Sequence, residues 1–155
     1  MRTGKRILVA LALVAAGVFL APSVASAHSN SAHTSYPGGD VLEANVWIDN
    51  YVDHNGCGNW ATSAKLLGYN PPNAQWIKNT ASFHAVGFGA SISAISTGQA
   101  GGADASASWT NYNNWIADLS GSICVNWFTI YVNAGSTATS YVPQYGSPRI
   151  AIATV

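Results

Sequence analysis

The stretch VLEANVWIDNYV, residues 41–52, alternates apolar and polar side chains with hardly a break. Leu42, Ala44, Val46, Ile48 and Val52 fall on one side of an extended chain, and Glu43, Asn45, Trp47, Asp49 and Tyr51 on the other. Successive strand residues point to opposite faces of a sheet, so this period of two predicts a half-buried β-strand. Asn55-Gly56 follows as a tight-turn signal, because both central positions of a type I′ turn need positive φ. WATSAKLLGY, residues 60–69, is then expected to return as the second strand of a hairpin.

The same reading extends along the chain. Asn70-Pro71-Pro72 stops the hairpin, and NAQWIKN, residues 73–79, reads as one helical turn or a loop. SFHAVGFGASISAIS, residues 82–96, alternates through Val86, Phe88, Ala90, Ile92 and Ala94. TGQAGGADASAS, residues 97–108, reads as a mobile connection, and WTNYNNWIADLSG, residues 109–121, fits either a helical stripe or an Asn-rich loop. SICVNWFTIYVN, residues 122–133, is dense in β-branched and aromatic residues and predicts a strand. Neither of its faces is cleanly polar, which implies a strand buried on both sides or one carrying a functional aromatic face. IAIATV ends the chain as a strand. Short strands, turn residues and no sustained amphipathic helix predict an all-β fold: a small antiparallel β-sandwich, with a small β-barrel as the alternative.

Residues 1–27 have a basic start (Arg2, Lys5, Arg6), an apolar run over Ile7–Leu20 and Ala25-Ser26-Ala27 as a small-x-small site. This is the pattern of a secretory signal peptide, and the run is shorter than the ~20 residues that span a bilayer. Secretion, with no membrane insertion after cleavage, is the expectation. Residues 28–40, HSNSAHTSYPGGD, lack an apolar period and read as a flexible N-terminal arm, with one β-sandwich domain over 41–155. Beyond residue 27 only Lys65, Lys78 and Arg149 stand against six acids, a net charge of 3 − 6 = −3. Nucleic-acid binding draws on Lys and Arg to neutralise phosphates, so this chain is not expected to bind nucleic acid. A polybasic membrane patch is missing for the same reason.

The two cysteines, Cys57 and Cys124, are expected to form one disulfide in an oxidising compartment. There is no CxxC spacing for a metal site, and no cofactor is expected. Calcium is the weak candidate, with Asp49, Asp53 and Asn55 as ligands; as an EF-hand the stretch fails, since Tyr51 would stand where the first Asp belongs and Thr62 where the bidentate Glu belongs. Glu43 and Asp49 on one strand face would lie about 20 Å apart, against the roughly 5–9.5 Å at which paired carboxylates hydrolyse glycosides. No G-x-S-x-G elbow is present. His84 reads as a strand histidine, and His28 and His33 as residues of the arm. No catalytic residue is assigned.

The remaining chemistry is that of surfaces. The chain carries 6 Trp and 7 Tyr among abundant Asn, Ser and Thr. Trp60, Phe88, Phe128 and Trp127 are expected in the core. Glu43, Asn45, Trp47, Asp49 and Tyr51 form the candidate binding face. Few charges leave a surface poorly protected against association, so the leading expectation is a secreted non-enzymatic protein-binding module. It would act as an adaptor or small subunit of an extracellular assembly, an antibacterial toxin complex being one setting. The partner, another secreted protein, would be met through the arm or an edge strand such as IAIATV. A lectin-like module binding carbohydrate is the alternative, and a small hydrolase with a site near Asp49, Asp53 and His54 the third.

Overall fold

The computed structural model describes residues 27–49 and 52–155. The expected signal segment, save Ala27, and Tyr51 of the candidate face lie outside the described residues. The elements are β1 (His28–Ser35), β2 (Val41–Ile48), β3 (Cys57–Leu67), β4 (Ala74–Val86), β5 (Ile92–Ile95), β6 (Gln99–Gly101), β7 (Asp104–Asn114), β8 (Ile116–Val125), β9 (Tyr131–Tyr141) and β10 (Arg149–Thr154), with a 3₁₀ turn at Pro143–Tyr145. They form two five-stranded antiparallel sheets, ordered β1-β2-β3-β8-β5 and β10-β9-β4-β7-β6. The fold is a β-sandwich and no barrel closes.

Alternation decides which side chains meet between the sheets. From the first sheet, Leu42, Val46, Trp60, Leu66, Ile123 and Val125 point inward and are buried. The facing sheet contributes chiefly small residues: Ala81, Ala85, Ala105, Ala107, Ala134, Ala138, Ala151 and Ala153. Large side chains against small ones let two twisted sheets interdigitate at native density. Ile77 and Phe83 are the large exceptions, and the Phe83 ring centroid lies 4.9 Å from that of Trp60.

A polar bridge crosses this core. Asn79 Nδ2 donates to Thr62 Oγ1 of the opposite sheet at 2.9 Å, and Ser136 Oγ donates to Asn79 Oδ1 at 3.1 Å. All three residues are buried, so their mutual bonds replace the water they have lost.

Three expectations are corrected here. Residues 28–35 are not a free arm: they pair with β2 in an unbroken register from His28↔Ile48 to Ser35↔Val41. The segment is polar because it is an edge strand, and its inward groups bond to the rim of the other sheet. Asn30 Nδ2 donates to the Thr154 carbonyl at 2.9 Å and Thr34 Oγ1 to that of Ile150 at 2.6 Å. The sandwich therefore begins at His28 and not at 41. Residues 74–79 continue as β4, and 97–108 form β6 and the start of β7.

One end of the sandwich is tied down around Tyr36, which is buried and donates to the Ser140 carbonyl at 2.8 Å. The Arg149 guanidinium lies over its ring, 5.8 Å from the centroid, and Tyr145 bonds to Asp40 beside it. The opposite end carries the disulfide and the loops described next.

Candidate functional site

Three loops meet at the Cys57 end: one between β2 and β3, of which Asp49 and residues 52–56 are described, 87–91 between β4 and β5, and 126–130 between β8 and β9. Gly56 N–H bonds to the Asp53 carbonyl at 2.8 Å, with φ of +42° at His54 and +65° at Asn55. This is a primed turn whose central residues are His54 and Asn55, one position earlier than Asn55-Gly56. The turn bonds to the third loop and to the end of β8: His54 N–H to the Thr129 carbonyl at 3.0 Å, Asn55 N–H to that of Asn126 at 3.1 Å, and Val125 N–H to that of Gly56 at 3.0 Å. The Cys57–Cys124 disulfide forms as expected, across a directly paired position of β3 and β8.

Asn126 is the hub of the three loops. Its Oδ1 accepts from Ser91 N–H at 3.1 Å and from Thr129 Oγ1 at 3.0 Å, while its Nδ2 donates to the Gly89 carbonyl at 2.9 Å. Its backbone N–H bonds to the Ser91 carbonyl at 3.0 Å. Gly87, at φ +151°, lies so close that an added Cβ would stand 2.1 Å from the Phe128 carbonyl oxygen. Only glycine fits that approach.

On this fixed base stand apolar side chains that face water. Phe88 is 99% exposed, Trp127 69%, Phe128 61%, Ile130 59% and Tyr131 50%. His54 adds a ring 6.2 Å from that of Trp127. The core assignment of Phe88, Phe128 and Trp127 is thereby overturned, while Trp60 is core. The expected strand 122–133 stops at Val125 because residues 126–129 turn, and the turn rotates its aromatics out of both sheet faces. Beside the cluster, between the sheets, a cleft of about 230 Å³ is lined by Ile48, Val52, Ile130, Val132 and Val155, with His28, Asp49 and Asp53 at its edge.

The candidate face read from β2 is divided. Glu43, Asn45 and Trp47 share the outer surface of the first sheet, whereas Asp49 lies at the loop end with its N–H on the Asn59 carbonyl at 2.9 Å. Asn45 Nδ2 donates to Glu43 Oε1 at 2.7 Å and to Ser63 Oγ at 3.1 Å, and Glu43 Oε2 pairs with His33 Nε2 at 2.7 Å. The calcium candidates Asp49, Asp53 and Asn55 all belong to the β2–β3 loop; among the described residues no group of three or more His, Cys, Asp or Glu is placed to hold a metal ion. His84 faces out from β4 onto Asp104, Nδ1 to Oδ1 at 2.8 Å.

The exposed aromatics of residues 126–130 were hidden in the sequence by their resemblance to strand. Asn126, flanked by Val125 and Trp127, was the signal available for a turn there. No family model matches this chain, and no curated protein or solved structure is significantly similar to it.

Proposed function

We propose that the protein is a non-enzymatic binding module that docks a protein partner on the loop end held by Asn126, as an adaptor or small subunit of an extracellular assembly. The observation that carries this reading is that Phe88, Trp127, Phe128 and Ile130 on the loops, and Tyr131 at the start of β9, are exposed above loops that Asn126 bonds to one another. With about 150–250 Å² per whole aromatic side chain, the five expose on the order of 600 Å². A partner in a standard interface covers about 800 Å², and solvated monomers rarely expose larger patches without a use for them.

The chemistry favours protein over membrane. Lys65 and Lys78 each stand eight residues up their strands from this end, about 26 Å at the strand rise, and Arg149 opens β10 at the other end. Asp49 and Asp53 border the cleft instead. Among the described residues no Lys or Arg is there to draw the tip to anionic lipid. Rigid aromatics that lose little entropy on binding are the residues that anchor protein interfaces. The adjacent cleft suits one inserted apolar side chain of the partner. The disulfide suits an oxidising compartment, and the basic, then apolar, start of the chain suits export to it.

The test is co-purification of the tagged full-length protein from the medium of its native host, compared with Trp127→Ala/Phe128→Ala. A stoichiometric complex that the double variant no longer forms, at unchanged melting temperature, is the expected result. Each residue as a hot spot is worth about 2 kcal/mol, or roughly thirtyfold in Kd. A complex unaffected by the double variant, or flotation of the protein with neutral or anionic lipid vesicles, overturns the reading.

A further inference from the structure

The outer face of the first sheet is a second surface with a different chemistry. Across β1, β2, β3 and β8 its rows run Ser31–Asn45–Ser63–Asp118 and Ser29–Trp47–Ala61–Ser120. Trp47, in the row with the short Ala61 and Ser120, borders a depression on either side. The first, about 410 Å³, is bordered by Trp47, Asn45, Ser63, Lys65 and Asp118. The second, about 530 Å³, is bordered by Trp47, Asn59, Ser96 and Ser122. Both volumes fall in the range of about 300–1,000 Å³ typical of small-molecule sites.

We infer that this double groove binds a short neutral oligosaccharide, one sugar in each depression, with Trp47 between them. Hydrogen-bond directions on the floor of the groove fit a sugar as well as its shape does. Ser31 Oγ donates to Asn45 Oδ1 at 2.5 Å, which uses its proton and leaves its lone pairs as an acceptor. Ser63 Oγ accepts from Asn45 Nδ2 at 3.1 Å, which leaves its proton to donate. Asn45 is itself fixed by Glu43, and Glu43 by His33. The floor of the first depression thus presents an oriented acceptor and an oriented donor on either side of Asn45. A sugar hydroxyl is both donor and acceptor and satisfies such a pair.

The apolar C–H face of a pyranose packs on the electron-rich face of an indole, and Trp47 borders both depressions. The charge balance selects among glycans. Lys65 and Asp118 offset each other in the first depression, and among the described residues the second is lined by no ionisable one. An anionic glycan would meet Asp118 without net compensation. A purely apolar ligand would leave the Ser63 and Lys65 donors without partners, which costs free energy. This site does not share its key residues with the loop end, so each stands or falls alone.

Affinity electrophoresis in gels cast with xylan, mannan, hydroxyethyl cellulose or glycol chitin tests the site, with polygalacturonate as the anionic comparison. Retardation by at least one of the neutral polymers is expected. Trp47→Ala should weaken it at least tenfold, as should Ser120→Phe, which fills the groove from the outside and deletes no packing. Trp127→Ala/Phe128→Ala should leave it unchanged, which separates this inference from the protein-docking one. No retardation by any neutral polymer, equal retardation of both groove variants, or retardation by polygalacturonate alone overturns it.

Discussion

Replacing Asn79 by alanine tests what the buried bridge contributes. The change deletes the 2.9 Å bond to Thr62 and the 3.1 Å bond from Ser136. Ser136 Oγ keeps a weaker acceptor, the Ser63 carbonyl at 3.5 Å, whereas Thr62 Oγ1 loses the partner it has in the core. Two hydrogen bonds of about 1 kcal/mol net each, with the one unsatisfied hydroxyl taken at the low end of about 1–3 kcal/mol, put the loss near 3 kcal/mol. Unfolding entropy of about 2.1 cal/mol/K per residue gives roughly 0.27 kcal/mol/K for a unit of about 130 residues. The melting temperature should therefore fall by about 11 °C. Urea titration followed by tryptophan fluorescence reads the change directly, since Trp60 sits in this core against Phe83. The triple variant Thr62→Val/Asn79→Leu/Ser136→Ala removes the partners along with the bridge, and should recover to within about 1 kcal/mol of the parent. If Asn79→Ala costs less than about 1 kcal/mol, or the triple variant is as damaged as the single one, the bridge is not what holds the sheets in register.

Other perturbations have equally definite outcomes. Replacing Cys57 and Cys124 by alanine opens a loop of 67 residues in sequence and should cost about 4 kcal/mol in the chain-entropy account; a urea midpoint that barely moves would show that the β3–β8 ladder already supplies the constraint. Burial pushes the Tyr36 phenol above its ordinary value of 10.0, against the opposing hydrogen bond of Ser140 and the charge of Arg149. The folded state then keeps a proton that the unfolded chain loses, so the Tyr36 contribution is intact below about pH 10 and declines as pH rises through the higher folded value. Melting temperatures measured from about pH 8 to 11 should fall at the alkaline end and fall less steeply in Tyr36→Phe, although Tyr145, raised chiefly by its bond to Asp40, adds a slope of the same sign. Asn30→Ala/Thr34→Val should unmask the carbonyls of Thr154 and Ile150 and make the protein associate through β10, detectable by light scattering; a double variant that stays monodisperse refutes the assigned role of β1.

What the sequence made legible was wherever a strand has one wet face and one dry one. β2 is the clearest case: Leu42, Ala44, Val46 and Ile48 are all buried, as their alternation requires. The cysteine pairing followed from having two cysteines. β1 escaped because its inward groups are Asn30 and Thr34, which bond to backbone where a core strand would carry apolar side chains. Residues 109–121 carried apolar residues at spacings of three and four, yet they form the end of β7 and the start of β8 around a corner at Trp115. The asparagines there are corner braces: Asn114 Oδ1 accepts from Trp115 N–H at 2.8 Å, and Asn111 Nδ2 donates to the Ile116 carbonyl at 2.7 Å. The loop aromatics were illegible for a general reason. β-Branched and aromatic density records what fits a pleated surface, and a docking surface draws on the same residues.

The edges of the sandwich narrow the ways in which it can meet another protein. A sheet edge invites strand addition unless it is covered, shortened or charged. β10 would offer the longest apolar edge, with Ile150 and Ile152 exposed. Its outward carbonyls at Ile150 and Thr154 are already held by Thr34 and Asn30, however. At the other side of the sandwich the edge strands β5 and β6 have four and three residues, too few for a long ladder. β1 itself is an edge, but a polar one, with serines, histidines and a threonine in place of an aggregation-prone run. Main-chain pairing is therefore disfavoured along β1, β5, β6 and β10, whereas residues 107–114 of β7 run past β6, which pairs only with 104–106. On the proposed reading, selective association falls instead to the side chains held out by Asn126, whose hydrogen bonds tie the loops beneath them to one another.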